Sequence, residues 1–190
     1  MRTSHPYLGS MPDSGPMTAD ELLRLDLPNK HTELVRGVLV VREPAGYRHG
    51  EVALSIATAI ANHVKAHDLG HVLAAETGFK LATDPDTVRA PDVAFVRRAR
   101  VPDPRPAGFA ALAPDLVVEV LSRDDRPGEV LAKVGDWLNA GCALVWVVDP
   151  NRRLARVYRA DGSESLIDAD GVLDGEDVLP GFVCPLAGVV

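Results

Sequence analysis

The 190 residues and 20.3 kDa suit one globular domain and leave no room for two full ones. Apolar residues at 46% and charged residues at 25% supply a core and exclude a disordered chain, while no apolar run approaches the roughly 20 residues of a membrane span. A net charge of −7 and a pI near 5.3 exclude a protein that coats nucleic acid nonspecifically, so any nucleic-acid contact is local.

Residues 1–16 lack the apolar stretch of a secretory signal and read as a flexible tail, with 17–190 as the domain and the cytoplasm as the expected compartment. Cys142 and Cys184 have neither the number nor the spacing of a disulfide framework or zinc site. Thr18-Ala-Asp-Glu21 is a capping box that predicts a short helix ending before Pro28. Glu33 to Glu43, rich in Val and Leu, predicts strand, with Arg36-Gly37 as a turn or bulge. After a connection at 46–50, the stripe Val52, Ile56, Ala59, Ile60, His63 and Val64 predicts an amphipathic helix over 51–68, ended by Gly70.

Three extended stretches follow, at 71–75, 78–82 and 91–96, with Asp84 to Thr87 as the turn between the last two, which predicts a hairpin or meander. Arg97 to Pro114 is too rich in proline for a regular element and reads as a long surface loop. Asp115 to Leu121 is an apolar strand, Pro127 to Ala140 a helix with the stripe Val130, Leu131, Val134, Trp137 and Leu138, and Ala143 to Val148 a second buried strand. That succession predicts a parallel crossover. Arg152 to Arg159 with Ser165 to Asp168 reads as a hairpin, and Gly171 to Pro185 as an irregular tail with short strands. The fold class is therefore α/β, a mixed sheet flanked by helices with additional antiparallel strands.

Glu119 interrupts a strand that is apolar on both faces. A carboxylate buried there needs a metal ion, a lysine or arginine, or a watery cleft, unless the strand lies at a solvated edge. Asp92 heads another strand, where an aspartate alone often only caps a turn; with Glu119 it offers the hard oxygen ligands preferred by Mg²⁺ or Mn²⁺, and Glu33 could add a third carboxylate. Lys133 lies at the margin of the helix stripe, one turn from Trp137, where it either stabilises charge on a phosphate or snorkels over the tryptophan.

Glu33-Leu-Val-Arg-Gly37, Arg48-His-Gly50, Val88-Arg-Ala-Pro-Asp-Val-Ala-Phe-Val96 and Pro114-Asp-Leu-Val-Val-Glu-Val-Leu-Ser122 come in that order. Lys133, Trp137 and Gly141 then precede Leu144-Val-Trp-Val-Val-Asp-Pro150. In order and spacing this pattern, running from about Met17 to Leu186, resembles the Uma2 family, also called DUF820, a branch of the PD-(D/E)XK nuclease superfamily with a restriction-endonuclease-like core. The resemblance implies a Mg²⁺-dependent phosphodiesterase in which Asp92 and Glu119 bind metal, Glu33 is an accessory acid or second-metal ligand, and His49 is a recurrent histidine at a helix entrance. The superfamily lysine falls two residues after the acid, a position held by Leu121, so Lys133 on the following helix takes that role. Thr32, Arg36 and Arg123 depart from the family's usual residues and bear on substrate preference and on whether catalysis is retained.

The expected reaction is hydrolysis of a nucleic-acid phosphodiester, with DNA favoured, by a water activated at the divalent metal. Arg97, Arg98, Arg100 and Arg105 in the long loop, and Arg152, Arg153, Arg156 and Arg159 in the late hairpin, are candidate phosphate contacts. Two other readings stand beside it: a catalytically inert nuclease-fold binding module, and a hydrolase of a small phosphate ester. Exposed sheet edges and the superfamily's habit imply a homodimer.

Overall fold

The computed structural model describes residues 15–190, so the tail expected over 1–16 lies outside the described residues except for its last two positions. The capping box forms as its sequence predicts. Glu21 N–H donates to Thr18 Oγ1 at 3.3 Å, Thr18 N–H donates to Glu21 Oε2 at 2.7 Å, and α1 (Ala19–Arg24) follows. Ala19 and Leu22 of this helix pack on Leu34 and Val88.

The Val- and Leu-rich stretch resolves into an antiparallel hairpin of β1 (His31–Val35) and β2 (Val38–Arg42). Its turn is Arg36-Gly37, both at positive φ, 50° and 76°, the backbone that a tight two-residue hairpin turn requires. Next, α2 (Tyr47–His67) buries Val52, Ile56, Ile60 and Val64, with Ala59 and His63 on the same side. It begins one turn earlier than expected: 47–50 are helical and not a connection, because Gly46 caps the helix without a side-chain bond and leaves no signature to read. Asp68, at φ 58°, ends it in place of the expected Gly70. Gly70 instead opens the next strand at φ 153°, where a Cβ would lie 2.1 Å from the Val96 carbonyl oxygen.

The strands after α2 correct the simple meander. β3 (Gly70–Ala74) pairs with β6 (Val93–Arg97), whereas β4 (Phe79–Ala82) pairs with an unexpected short strand, β5 (Thr87–Arg89). The turn near Asp84 therefore closes a hairpin with β5 and not with the strand after Pro91. Ala90 and Pro91 then carry the chain from one sheet to another. The 3₁₀ turn Arg98–Arg100 and a bridge from Ala110 to Phe79 organise the long loop.

β7 (Leu116–Val120), α3 (Pro127–Asn139) and β8 (Leu144–Asp149) form the expected crossover, with β7 and β8 parallel. β9 (Leu154–Arg159) and β10 (Glu164–Ile167) form the late hairpin, and β11 (Val172–Asp174) pairs with β12 (Val183–Pro185). The result is a mixed six-stranded sheet, β10-β9-β8-β7-β6-β3, beside a four-stranded sheet, β2-β1-β5-β4. No helix among the described residues is long and apolar enough to cross a membrane.

Period-2 alternation in β7 decides what faces what. Leu116, Val118 and Val120 pack with Val52, Ile56 and Ile60 of α2, while Val117 packs with Val134 and Trp137 of α3. Glu119 shares the face of Val117 and so looks toward α3. Leu131, expected in the α3 stripe, is 54% exposed, because it lies about 100° around the helix from Val130.

Candidate active site

The site forms where the two sheets meet beneath the first turn of α2 and the second and third turns of α3. Register places Val93 opposite Val118, so Asp92 sits beside the end of β7, and its Oδ2 accepts the Val120 N–H at 2.7 Å. His49, in the first turn of α2, puts Nε2 3.2 Å from the same oxygen. The hydrogen bond to Asp92 raises the His49 pKa above the ordinary histidine value, against the opposing effect of burial, and the Asp92, Asp125 and Glu119 charges add to the rise.

Glu119 is 8% exposed and engaged on both oxygens. Trp137 Nε1–H donates to Oε1 and the Lys133 ammonium to Oε2, each at 2.9 Å. Lys133 and Trp137 stand four apart on α3 and therefore share a helix face. Burial pushes the Glu119 carboxyl up to about 7; Lys133 pulls it down, and the Asp92 and Glu33 charges push it up. Lys133 moves upward in turn: burial opposes its charge, but the Glu119 and Glu33 carboxylates outweigh that opposition.

Glu33, on β1, is 4% exposed. Its Oε1 accepts the Ala90 N–H at 2.9 Å and lies 3.2 Å from Lys133 Nζ, and its Oε2 accepts from Arg89 at 3.0 Å. Burial would raise its pKa, but Lys133, Arg89 and the Ala90 amide together hold it below the ordinary carboxylate value. Lys133 also donates to the Ala90 carbonyl at 3.0 Å, so its ammonium holds two hydrogen bonds and the ion-pair contact with Glu33.

The structure thus brings together Glu33, His49, Asp92, Glu119 and Lys133. It places Arg97, Arg98 and Arg100 elsewhere, at the far end of β6, about 16 Å along the strand from Asp92. There Arg97 and Arg100 serve Asp115, with Arg100 at 2.8 Å, and Arg98 pairs with Asp68. Arg105 is exposed in the loop that follows. The turn after β8 lies at the site's end of the sheet, because β8 runs parallel to β7, and it exposes Arg152 and Arg153. Arg156 and Arg159 are held by Glu164 and Glu176.

Two members of the network have no clear signal in the sequence. Arg89, 5% exposed, bonds Asp136 through Nε at 2.9 Å and through a terminal nitrogen at 2.6 Å while holding Glu33. The available signals are a lone arginine in an otherwise apolar stretch and an aspartate three residues after Lys133 on the same helix face. Trp137 belongs to the core, as its place in the helix stripe predicts, but its indole N–H also orients Glu119.

The sequence model of a family described as "Uma2: Putative restriction endonuclease" matches residues 19–187. This chain belongs to the Uma2 family. Among solved structures, it is similar to a protein from Anabaena variabilis ATCC 29413 described as a putative nuclease belonging to DUF820, determined at 1.96 Å. The two share 21% identity with a TM-score of 0.80 over 92% of this chain and 97% of that one, a likeness that shows the fold. No curated protein matches the chain. The restriction-endonuclease-like Uma2 fold agrees with the expected fold class.

Proposed function

We propose that this Uma2 protein is a divalent-metal-dependent endonuclease that hydrolyses nucleic-acid phosphodiester bonds, with DNA as the favoured substrate. The observation that carries this reading is the convergence of Asp92, just before β6 and bonded to the Val120 amide, with Glu119 on the adjacent β7 and Lys133 bonded to Glu119. Glu33, Asp92, Glu119 and Asp136 are four carboxylates set against the two fixed cations Lys133 and Arg89.

Among the described residues, no group of three or more His, Cys, Asp or Glu side chains is arranged to hold a metal ion. Two carboxylates still fit Mg²⁺, which usually keeps several waters and binds through one or two carboxylates plus substrate phosphate. Asp92 Oδ1 carries no hydrogen bond among the described residues, and each Glu119 oxygen retains a lone pair beyond the one it uses. Mg²⁺ or Mn²⁺ held by Asp92 and Glu119 supplies positive charge to a phosphoryl oxygen and acidity to a water. The chain's own groups do the positioning: Trp137 and Lys133 orient Glu119, and the Val120 amide and His49 orient Asp92.

Glu33 has both oxygens engaged, so its geometry suits a counter-ion for Lys133 better than a ligand for a second metal. A phosphate at Lys133 competes with Glu119, the Ala90 carbonyl and Glu33 for the ammonium. This full engagement favours a second reading, that the chain binds nucleic acid without cutting it. Arg152 and Arg153 are the proposed phosphate contacts. A homodimer, supported by the sheet edges at β2 and β10, completes the proposal, with the cytoplasm as its proposed compartment. Supercoiled plasmid, single-stranded DNA, RNA and a chromogenic phosphodiester, each with Mg²⁺ or Mn²⁺, test the reading. Metal-dependent cutting of DNA supports it, and turnover of the small ester alone replaces it with a phosphate-ester hydrolase.

A further inference from the structure

Arg89 and Asp136 touch neither Asp92 nor Glu119, yet they occupy the base of the network that holds Lys133. Asp136 takes two N–H groups of Arg89 on one oxygen, which leaves the NH1 side of the guanidinium aimed at Glu33 Oε2 at 3.0 Å. A planar guanidinium fixed at one edge has little freedom at the other. Glu33 is thereby fixed, and its second oxygen faces the Lys133 ammonium at 3.2 Å. The chain of contacts returns to its origin, because Lys133 and Asp136 stand three apart on one face of α3. Arg89 belongs to β5 and Glu33 to β1 of the four-stranded sheet, whereas Glu119 belongs to the six-stranded sheet. The loop therefore joins both sheets to the helix that carries the lysine.

We propose that Asp136 and Arg89 are positioning residues that set the placement of Lys133 against Glu119 by clamping Glu33. This rests on the nuclease reading for its kinetic consequence, but the clamp itself is a property of the folded chain. A charge at Asp136 competes with Glu33 for Arg89. Removing that charge lets the guanidinium turn toward Glu33, where it displaces Lys133 as the partner of Oε1. Lys133 is then less firmly held, although neither it nor its two other partners has been altered.

Asp136→Asn is the direct test, since asparagine keeps an oxygen that can accept from Arg89 while losing the charge. The chain has only four lysines, Lys30, Lys65, Lys80 and Lys133, so the side-chain ammonium groups can be resolved by ¹H–¹⁵N correlation and assigned with Lys→Arg replacements at the other three. In Asp136→Asn the Lys133 ammonium protons are expected to exchange with water about tenfold faster than in wild type, reporting local opening. On DNA, kcat is expected to fall about tenfold to a hundredfold with KM changed less than about twofold, as for a displaced catalytic group. Unchanged ammonium exchange and unchanged kcat, even with a lower Tm, overturn the proposal and leave the pair a purely structural link. If Asp136→Asn does not fold, Asp136→Glu carries the test. Its longer side chain pushes Arg89 toward Glu33 with charge intact, and an unaltered Lys133 signal and kcat overturn the proposal equally. If wild type cuts no substrate, the nuclease reading fails, and the ammonium exchange alone decides the clamp.

Discussion

Lys133 Nζ lies 2.9 Å from Glu119 Oε2, although one residue is on a helix and the other on the strand before it, 14 positions earlier. The geometry follows from two periodicities. Glu119 faces α3 because it alternates with Val118 and Val120, and Lys133 faces the sheet because it stands one turn from the buried Trp137. A lysine on the helix thus reaches the carboxylate although Leu121 holds the position two residues along the strand.

Lys133→Met is expected to remove that pairing and leave Glu119 and Glu33 facing each other under burial. Breaking a buried ion pair by deleting one partner costs about 3–5 kcal/mol, and urea unfolding should show a loss of that order. Cleavage by the fraction that remains folded should fall at least about a hundredfold. Wild-type cleavage by a folded Lys133→Met protein would show that the lysine has no part in the reaction.

Trp137→Phe keeps most of the buried ring and its edge contact with Phe79 but deletes the N–H that Glu119 Oε1 accepts. A hydrogen bond to a charged group contributes about 1.5–3 kcal/mol, and denaturant midpoints should report a loss of that size beyond what a surface substitution gives. Trp146 remains as the fluorescent probe.

Arg152→Ala with Arg153→Ala should weaken DNA binding across sequences. The slope of log K against log salt should become shallower by about 1 for each phosphate that is no longer neutralised. Arg98→Ala, at the opposite end of β6, should leave both affinity and slope unchanged. Fluorescence anisotropy over a salt series distinguishes the two ends of the sheet.

Asp86 provides a pH test away from the site. It accepts the Ala19 N–H at 2.8 Å and pairs with Lys80 at 2.9 Å. The Ala19 amide bond, with Lys80 and the backbone at Asp84 helping and burial opposing, holds its carboxyl below the ordinary value. A lowered folded-state pKa means that its contribution is present above the unfolded value, about 3.9, and is lost as pH falls through the folded value. Asp86→Asn should therefore unfold at lower urea than wild type at pH 7, and the gap should narrow below about pH 4 toward the folded pKa. A gap independent of pH would show that the carboxylate's charge contributes nothing.

The crossover and the carboxylate pair are legible in the sequence because strong local signals carry them. Glu119 stands out as the charge in an apolar strand, and the helix stripe points Trp137 and Lys133 at the same sheet. The first turn of α2 is hidden because Gly46 supplies no side-chain cap, although that turn delivers His49 to Asp92. β5 is hidden because three residues are too few to show a period, and Arg89 is hidden with it. Partnering across distant elements has no local signature: Arg89 and Asp136 are 47 positions apart along the chain, and only the folded register brings them within 2.6 Å. The arginine-rich loop misleads for a related reason, since composition cannot show that Arg97 and Arg100 answer a buried Asp115.

Calorimetric titration of Mn²⁺ into wild type, Asp92→Ala and Glu119→Ala, run beside DNA cleavage in Mg²⁺ or Mn²⁺, probes the paired carboxylates themselves. Wild type is expected to bind the ion and cut, and each folded variant to lose both. A folded wild type that neither binds Mn²⁺ nor cuts DNA would overturn the metal-dependent nuclease reading.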